Sequence, residues 1–253
     1  MSPTGFRRLV LELGHGAADP ATILEAATFA RTLGLELLAL FIEDESLAHI
    51  AGLPFAREIS PLTFLWRPLD ADRLADDVAA AAERARLSLA AAATASGVAQ
   101  TFEVRHGESG LHVIETCVAT DIVVLSSSRR REGDTMHGGR RLSETARDSA
   151  ASVLWLPPVS VARRGPVVVV ANADNPAVPV ARQIAALVGE PLIVAAQQAG
   201  EGRVSLPGET LLDLIAALNN LNERLIVLSQ AGPWGEMGAA LAARRGVPVL
   251  VLE

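Results

Sequence analysis

Short apolar runs recur along the chain, separated by stretches whose apolar residues fall at helical spacing. Leu9-Val10-Leu11-Glu12-Leu13, Leu35 to Phe41, Ala99 to Val104, Asp121 to Leu125 and Ser152 to Leu156 each have the length and leucine or β-branched content of a buried strand. Between the first two runs, Ile23, Ala26, Ala27 and Ala30 form a helical stripe, with Asp19-Pro20 as its start signal and Gly34 as its stop. Asp70 to Ser96 reads as a long alanine-rich helix closed by Gly97, and Leu111 to Ala119 as a helix opened by Gly107-Glu108-Ser109. Arg140 to Ser149 carries Leu142, Thr145 and Ala146 at helical spacing. Residues 43–68 have no clear period and contain Pro54, Pro61 and Pro68, which predicts a long excursion with a short helix near Leu47 to Ala51. Alternation of strand and helix predicts an α/β fold, a doubly wound parallel sheet.

After a connector from Val159 to Arg164 the pattern restarts. Val167 to Ala171, Leu192 to Ala195, Leu225 to Ser229 and Val247 to Leu252 read as strands. Val178 to Val188, Thr210 to about Asn220, and Trp234 to Arg244 read as helices. Several landmarks repeat. Gly107-Glu108-Ser109 with Ile114 matches Gly208-Glu209-Thr210 with Ile215, Val123 to Ser126 matches Ile226 to Ser229, and Val153-Leu154 matches Val249-Leu250. This predicts an internal duplication, with units at 1–158 and 165–253. The second unit is the smaller, because it has no counterpart of the Asp70 to Ser96 helix. Its last loop is also shorter: Leu125 to Leu154 spans 29 positions, Leu228 to Leu250 only 22.

Bulk properties then narrow the function classes. The net charge of −7 over 253 residues argues against general nucleic-acid binding. No apolar run approaches the roughly 20 residues of a membrane span. The one cysteine, Cys117, excludes an internal disulfide and a cysteine-rich metal site, and on an apolar helix face it reads as a small buried hydrophobe. The first eight residues lead directly into a strand-like run, unlike a signal peptide, so a reducing cytoplasm is the expected setting.

In open parallel sheets ligands sit off the carboxyl ends of the strands, which points to Ser126 through Arg141, where a loop meets a helix. Arg129, Arg130, Arg131, Arg140 and Arg141 crowd that loop. They read either as an anion site built from guanidinium groups or as a solvated surface loop offset by Glu132 and Asp134. Ser126-Ser127-Ser128 lacks the G-x-S-x-G context of a nucleophile. His15 and His137 could share the strand ends, but no metal-ligand spacing accompanies them. His49, His106 and His112 have no partner identifiable from the sequence.

Three landmarks resemble the universal stress protein family, here as a tandem pair. They are Val104-Arg105-His106-Gly107-Glu108 leading into a helix, Asp121 to Leu125 followed by small residues, and Gly139 leading through a short helix to Val153-Leu154. The resemblance implies two Rossmann-like units with strand order 3-2-1-4-5 and an edge at the fifth strand through which members commonly dimerise. It also implies a phosphate loop, G-x2-G-x9-G-[ST], in the ATP-binding members. Here the spacing survives and the residues mostly do not. Ser126 and Arg129 stand at the first two glycine positions, Gly139 at the third, and Arg140 replaces the hydroxyl residue. The acidic residue that such members carry after strand one is Gly14, and its second-unit counterpart is Asn172. The candidate site is therefore a degenerate nucleotide or anion site of Gly14, Ser126, Ser127, Arg129, Gly139 and Arg140. No catalytic residue, metal or cofactor is expected, and ATP is disfavoured. The expected protein is a non-catalytic stress-type protein working through a small-molecule or protein partner, assembled as a pseudo-dimer within the chain or as a homodimer. A nucleotide-binding protein that uses the arginines and a hydrolase of the adenine-nucleotide fold group are the alternatives.

Overall fold

The computed structural model describes residues 4–13, 20–43, 45–60, 62–107, 111–126, 150–157, 164–172, 174–197 and 203–253. Ten strands form one sheet. β1 (Arg8–Leu13), β2 (Glu36–Glu43), β5 (Gln100–His106), β6 (Asp121–Ser126) and β7 (Ser152–Leu156) make up one side. β8 (Val167–Val170), β9 (Leu192–Ala196), β10 (Arg203–Ser205), β11 (Leu225–Ser229) and β12 (Val249–Leu252) make up the other. The order across the sheet is β10-β9-β8-β11-β12-β7-β6-β1-β2-β5. Counted within each side, both run 3-2-1-4-5. A separate hairpin, β3 (Arg57–Ile59) with β4 (Trp66–Pro68), stands outside this sheet.

Neighbouring strands on each side are parallel, and the sides join through one antiparallel pair in which Val153 faces Val251, Leu154 faces Leu250 and Trp155 faces Val249. The join follows from composition. Val153 to Leu156 of β7 and Val249 to Leu252 of β12 are apolar throughout, and an apolar strand with a free edge seeks a partner. The expected meeting of the fifth strands is therefore present, and it makes the sheet continuous. Because the pair is antiparallel, the strands of the two sides point their carboxyl ends in opposite directions.

Side chains alternate across the sheet and so build two cores. Leu9, Leu11, Phe41, Ile122, Leu154, Val167, Val227 and Leu250 face one layer, where α1 (Pro20–Leu33), α3 (Ala71–Ser96) and α5 (Ala177–Val188) pack. Val10, Leu40, Val123, Trp155, Val168, Ile226 and Val251 face the other, under α6 (Leu211–Ala217), Trp234 and α7 (Gly238–Arg245). Helices α2 (Glu45–Ala51) and α4 (Leu111–Thr116) are the others among the described residues. The long helix has the expected limits. The Asp70 carboxylate accepts from the N–H groups of Asp72 and Arg73, and Gly97 closes the helix at φ 66°.

Five expectations need correction. The helix read over Leu111 to Ala119 ends at Thr116, where the chain turns so that Val118 N–H can reach Asp121 at 3.0 Å. The helix opened by Thr210 runs only to Ala217, not to about Asn220. Trp234 precedes a 3₁₀ turn, Gly235–Met237, and only then does α7 begin. The excursion at 43–68 holds a hairpin after its short helix. β10 is an additional strand, three residues long, too short to carry a period. The expected helix start at Asp19 and the helix Arg140 to Ser149 lie outside the described residues.

Candidate functional site

The sheet has two points where strand order reverses, one between β1 and β6 and one between β8 and β11. In doubly wound sheets this is where a crevice opens. Of the sequence-derived site, Ser126 is described: it ends β6 and pairs with Leu156 of β7. Gly14, Ser127, Arg129, Gly139 and Arg140 lie outside the described residues, as do His15 and His137.

The second reversal point carries a crevice of about 190 Å³. Its floor is Ala171, Ala195 and Ala196 at the ends of β8 and β9, and its wall is Trp234, which is itself buried. Asn172, Asn175, Gln197, Glu209 and Ser229 supply its polar groups. Local folding fixes several of them. Asn175 turns its side-chain oxygen to the Ala177 N–H at 2.9 Å and so starts α5. Thr210 and Asp213 cap each other at the start of α6, which holds the adjacent Glu209 at the rim. Gln197 donates to Glu209 Oε1 at 2.7 Å across the mouth. No Lys or Arg is among the described residues that line the crevice.

The loop after β11 turns its own N–H groups inward. Gln230 N–H donates to Leu252 O at 2.7 Å, Gly232 N–H to Ser229 O at 3.2 Å, Gly235 N–H to Gly232 O at 3.2 Å and Met237 N–H to Trp234 O at 2.9 Å. Gly235 lies so close to Gln230 that a Cβ there would sit 2.6 Å from its carbonyl oxygen. A phosphate cradle needs converging, unsatisfied N–H donors, and these four are already bonded.

Sequence reasoning placed Asn172 at the end of the second unit's first strand but did not see the crevice. The usable signal was the repeat itself, since Gly208-Glu209-Thr210 matches Gly107-Glu108-Ser109 and so sets Glu209 at a sheet end. His106 does have a partner, Glu43 Oε2 at 2.9 Å, and His112 Nε2 lies 2.9 Å from the His106 carbonyl. Among the described residues no group of His, Cys, Asp and Glu side chains could hold a metal ion. Burial pushes the Cys117 thiol up to about 12, with Asp121 adding to the effect, so it is a poor nucleophile.

Two buried ion pairs brace the opposite ends of the strands. Asp121, fully buried, takes Arg8 Nε and one terminal nitrogen at 2.9 Å each, and Arg8 also donates to Thr116 O at 2.8 Å. Glu223, also fully buried, takes Arg245 at 2.7 and 2.8 Å, and Arg245 reaches Leu218 O and Leu221 O. In each case a bidentate hydrogen bond holds the guanidinium above its ordinary pKa. Each clamp ties the helix before the fourth strand to that strand, with arginines drawn from different elements.

A sheet wound in this way, with helices on both faces and a reversal of strand order within each side, defines a doubly wound α/β protein. More particularly, the fold is that of the universal stress proteins. A universal stress protein from Archaeoglobus fulgidus DSM 4304 superposes with a TM-score of 0.66 at 17% identity, covering 96% of each chain. A protein of unknown function from Pseudomonas aeruginosa PAO1 gives 0.54 at 13% identity, covering 98% of this chain and 93% of its own. One from Pseudomonas aeruginosa UCBPP-PA14, provisionally assigned to the universal stress proteins, gives 0.52 at 12%, covering 98% and 94%. No family profile and no curated protein matches the sequence. Among the described residues no helix is long and apolar enough to cross a membrane.

Proposed function

We propose that this chain is a cytoplasmic, non-catalytic member of the universal stress protein family, built as a tandem pair at 1–158 and 165–253, whose ATP motif is degenerate and which acts by binding a small ligand. The observation that carries this reading is the crevice at the β8–β11 reversal point. It offers amide, hydroxyl and carboxylate groups beside an indole, but four N–H groups of its loop are already bonded, those of Gly232, Gly235 and Met237 within the loop and that of Gln230 to Leu252 O. At about 190 Å³ it is smaller than the roughly 300–1,000 Å³ of sites that enclose a drug-sized ligand. A neutral ligand the size of a nucleobase or nucleoside suits it, because Glu209 repels phosphate and no described lining residue attracts it. In the first unit, Ser126, Arg129 and Arg140 replace the phosphate-loop residues that ATP-binding members carry, and Gly14 stands where their acid would be.

Calorimetry with adenosine, AMP and ATP at two salt concentrations tests the reading. ATP is expected to bind no more tightly than adenosine, and any extra affinity of ATP at low salt is expected to fade as salt screens the arginines. Micromolar, salt-insensitive ATP binding would overturn it.

A further inference from the structure

The β3–β4 hairpin wears its apolar face outward. In an antiparallel pair directly opposed residues share a face, and alternate residues change face. Glu58 opposes Arg67, and this polar pair faces the protein's own body, where Glu58 also takes Arg73 from the first turn of α3. Ile59 opposes Trp66 on the other face, which meets solvent, with Arg57 opposite Pro68 at its far end. Amphipathicity is thus inverted relative to a strand pair that packs on its own core. Ile59 and Trp66 on that face, Leu62, Phe64 and Leu65 between the strands, and Phe55 just before them are between 50% and 90% exposed. With aromatic side chains of roughly 200 Å² each, the six present on the order of 800 Å², above the about 300–600 Å² of the largest apolar patch on a typical monomer.

The backbone is committed to this display. Phe64 sits at φ 57°, a left-handed conformation that bulky residues rarely adopt. Its N–H is tied to Ser60 O at 2.8 Å, and Ser60 N–H to Leu65 O at 3.0 Å. Glycine would relieve the strain at position 64, yet a large apolar side chain is held there in water. An isolated two-stranded hairpin is marginal without something on its bare face.

We infer that the hairpin is a homodimerisation arm, its apolar face stacking on the same face of a second copy about a two-fold axis. Roughly 800 Å² is what each partner gives to a standard interface, and a two-fold needs one self-complementary patch. The fifth-strand edges are already consumed by the β7–β12 pair, so self-association must use another surface. Charge separates this from docking on an anionic bilayer: the segment Arg57 to Pro68 carries only Arg57, Glu58 and Arg67, a net charge of +1, on a chain of net −7 that such a surface repels. The inference stands whatever ligand the crevice takes.

Sedimentation equilibrium of the full chain is expected to give twice the 26.5 kDa chain mass at micromolar concentration. The Leu62→Asp/Phe64→Asp variant is expected to weaken the dimer on the order of 100-fold or more, the scale of losing central hot-spot residues. Leu212→Asp, at a leucine of α6 that is 71% exposed and outside the hairpin, is expected to leave it intact. A spin label on Thr63→Cys provides a readout that keeps the hairpin's apolar face. Cys117 is buried and adds no label, so dimer formation should give one dipolar coupling between two hairpins. A wild-type monomer, a dimer indifferent to the hairpin substitutions, absence of the coupling, or a monomer that instead sediments with vesicles would each overturn the inference.

Discussion

Replacing Arg245 by methionine tests the account of the buried clamps. Arg245 makes four hydrogen bonds, at 2.7 and 2.8 Å to Glu223 and at 3.0 and 3.1 Å to Leu218 O and Leu221 O. Its side chain is 11% exposed and that of Glu223 is 0% exposed. Methionine keeps the aliphatic stem and removes all four bonds, which come from Nε and one terminal nitrogen. Leu218 O retains the Leu221 N–H at 2.9 Å, so its loss is partial. The larger cost is Glu223, left as an unpaired buried carboxylate. Removing one partner of a buried pair costs about 3–5 kcal/mol. At about 2–4 °C per kcal/mol for a chain of this size, the midpoint should fall by about 10 °C. Urea unfolding followed by far-UV circular dichroism reads the free energy. The Arg245→Met/Glu223→Met double variant should recover most of the loss, because an apolar pair carries no desolvated charge. A single-variant cost below about 1 kcal/mol, or a double variant that merely adds two losses, would refute the reasoning.

Other outcomes follow from the same geometry. Cys117 should resist a thiol reagent at pH 8 in the folded protein and react at the rate of opening. Its folded thiol is raised from 9.0 to about 12, so the unfolded thiol ionises first and the folded one keeps its proton. Its contribution to stability is accordingly full below pH 9 and is lost as pH rises toward about 12, which a Cys117→Ala comparison in urea would isolate. A Cβ at Gly238 would lie 2.6 Å from Trp155 Cδ1 and 2.8 Å from Val251 Cγ2, so Gly238→Ala should cost about 1–3 kcal/mol and perturb Trp155 fluorescence. An unchanged emission spectrum and unfolding midpoint would count against close packing of α7 on the β7–β12 join.

The sequence revealed what local chemistry encodes. Apolar runs such as Val167 to Val170 marked the strands, and Asp70 with Gly97 marked both ends of the long helix within a residue. The fifth-strand join was legible because Val153 to Leu156 and Val249 to Leu252 are apolar throughout and have to be buried. What escaped was short or long-range. Arg203 to Ser205 is too brief to show a period. Arg8 and Asp121 are 113 positions apart, and nothing local distinguishes them from surface charges. The hairpin escaped because its strands are three residues each and its apolar residues, Phe64-Leu65-Trp66 among them consecutive, show no period and face solvent, among three prolines that suggested irregular chain. The crevice needed the fold before Asn172, Gln197 and Glu209, far apart in sequence, could be seen as neighbours.

The antiparallel join of β7 and β12 bears on how such a chain can change. Three facing residue pairs are a slender ladder for holding two separate proteins together at cellular dilution. On one chain, however, the linker keeps each fifth strand near its partner at an effective concentration on the order of millimolar. Splitting the chain between Pro157 and Arg164 would turn that intramolecular ladder into a bimolecular equilibrium, and the halves would part on dilution. While the linker stays whole, either half is free to drift in the residues at its strand ends. It need only keep four or five apolar residues in strand form to continue serving as its neighbour's edge.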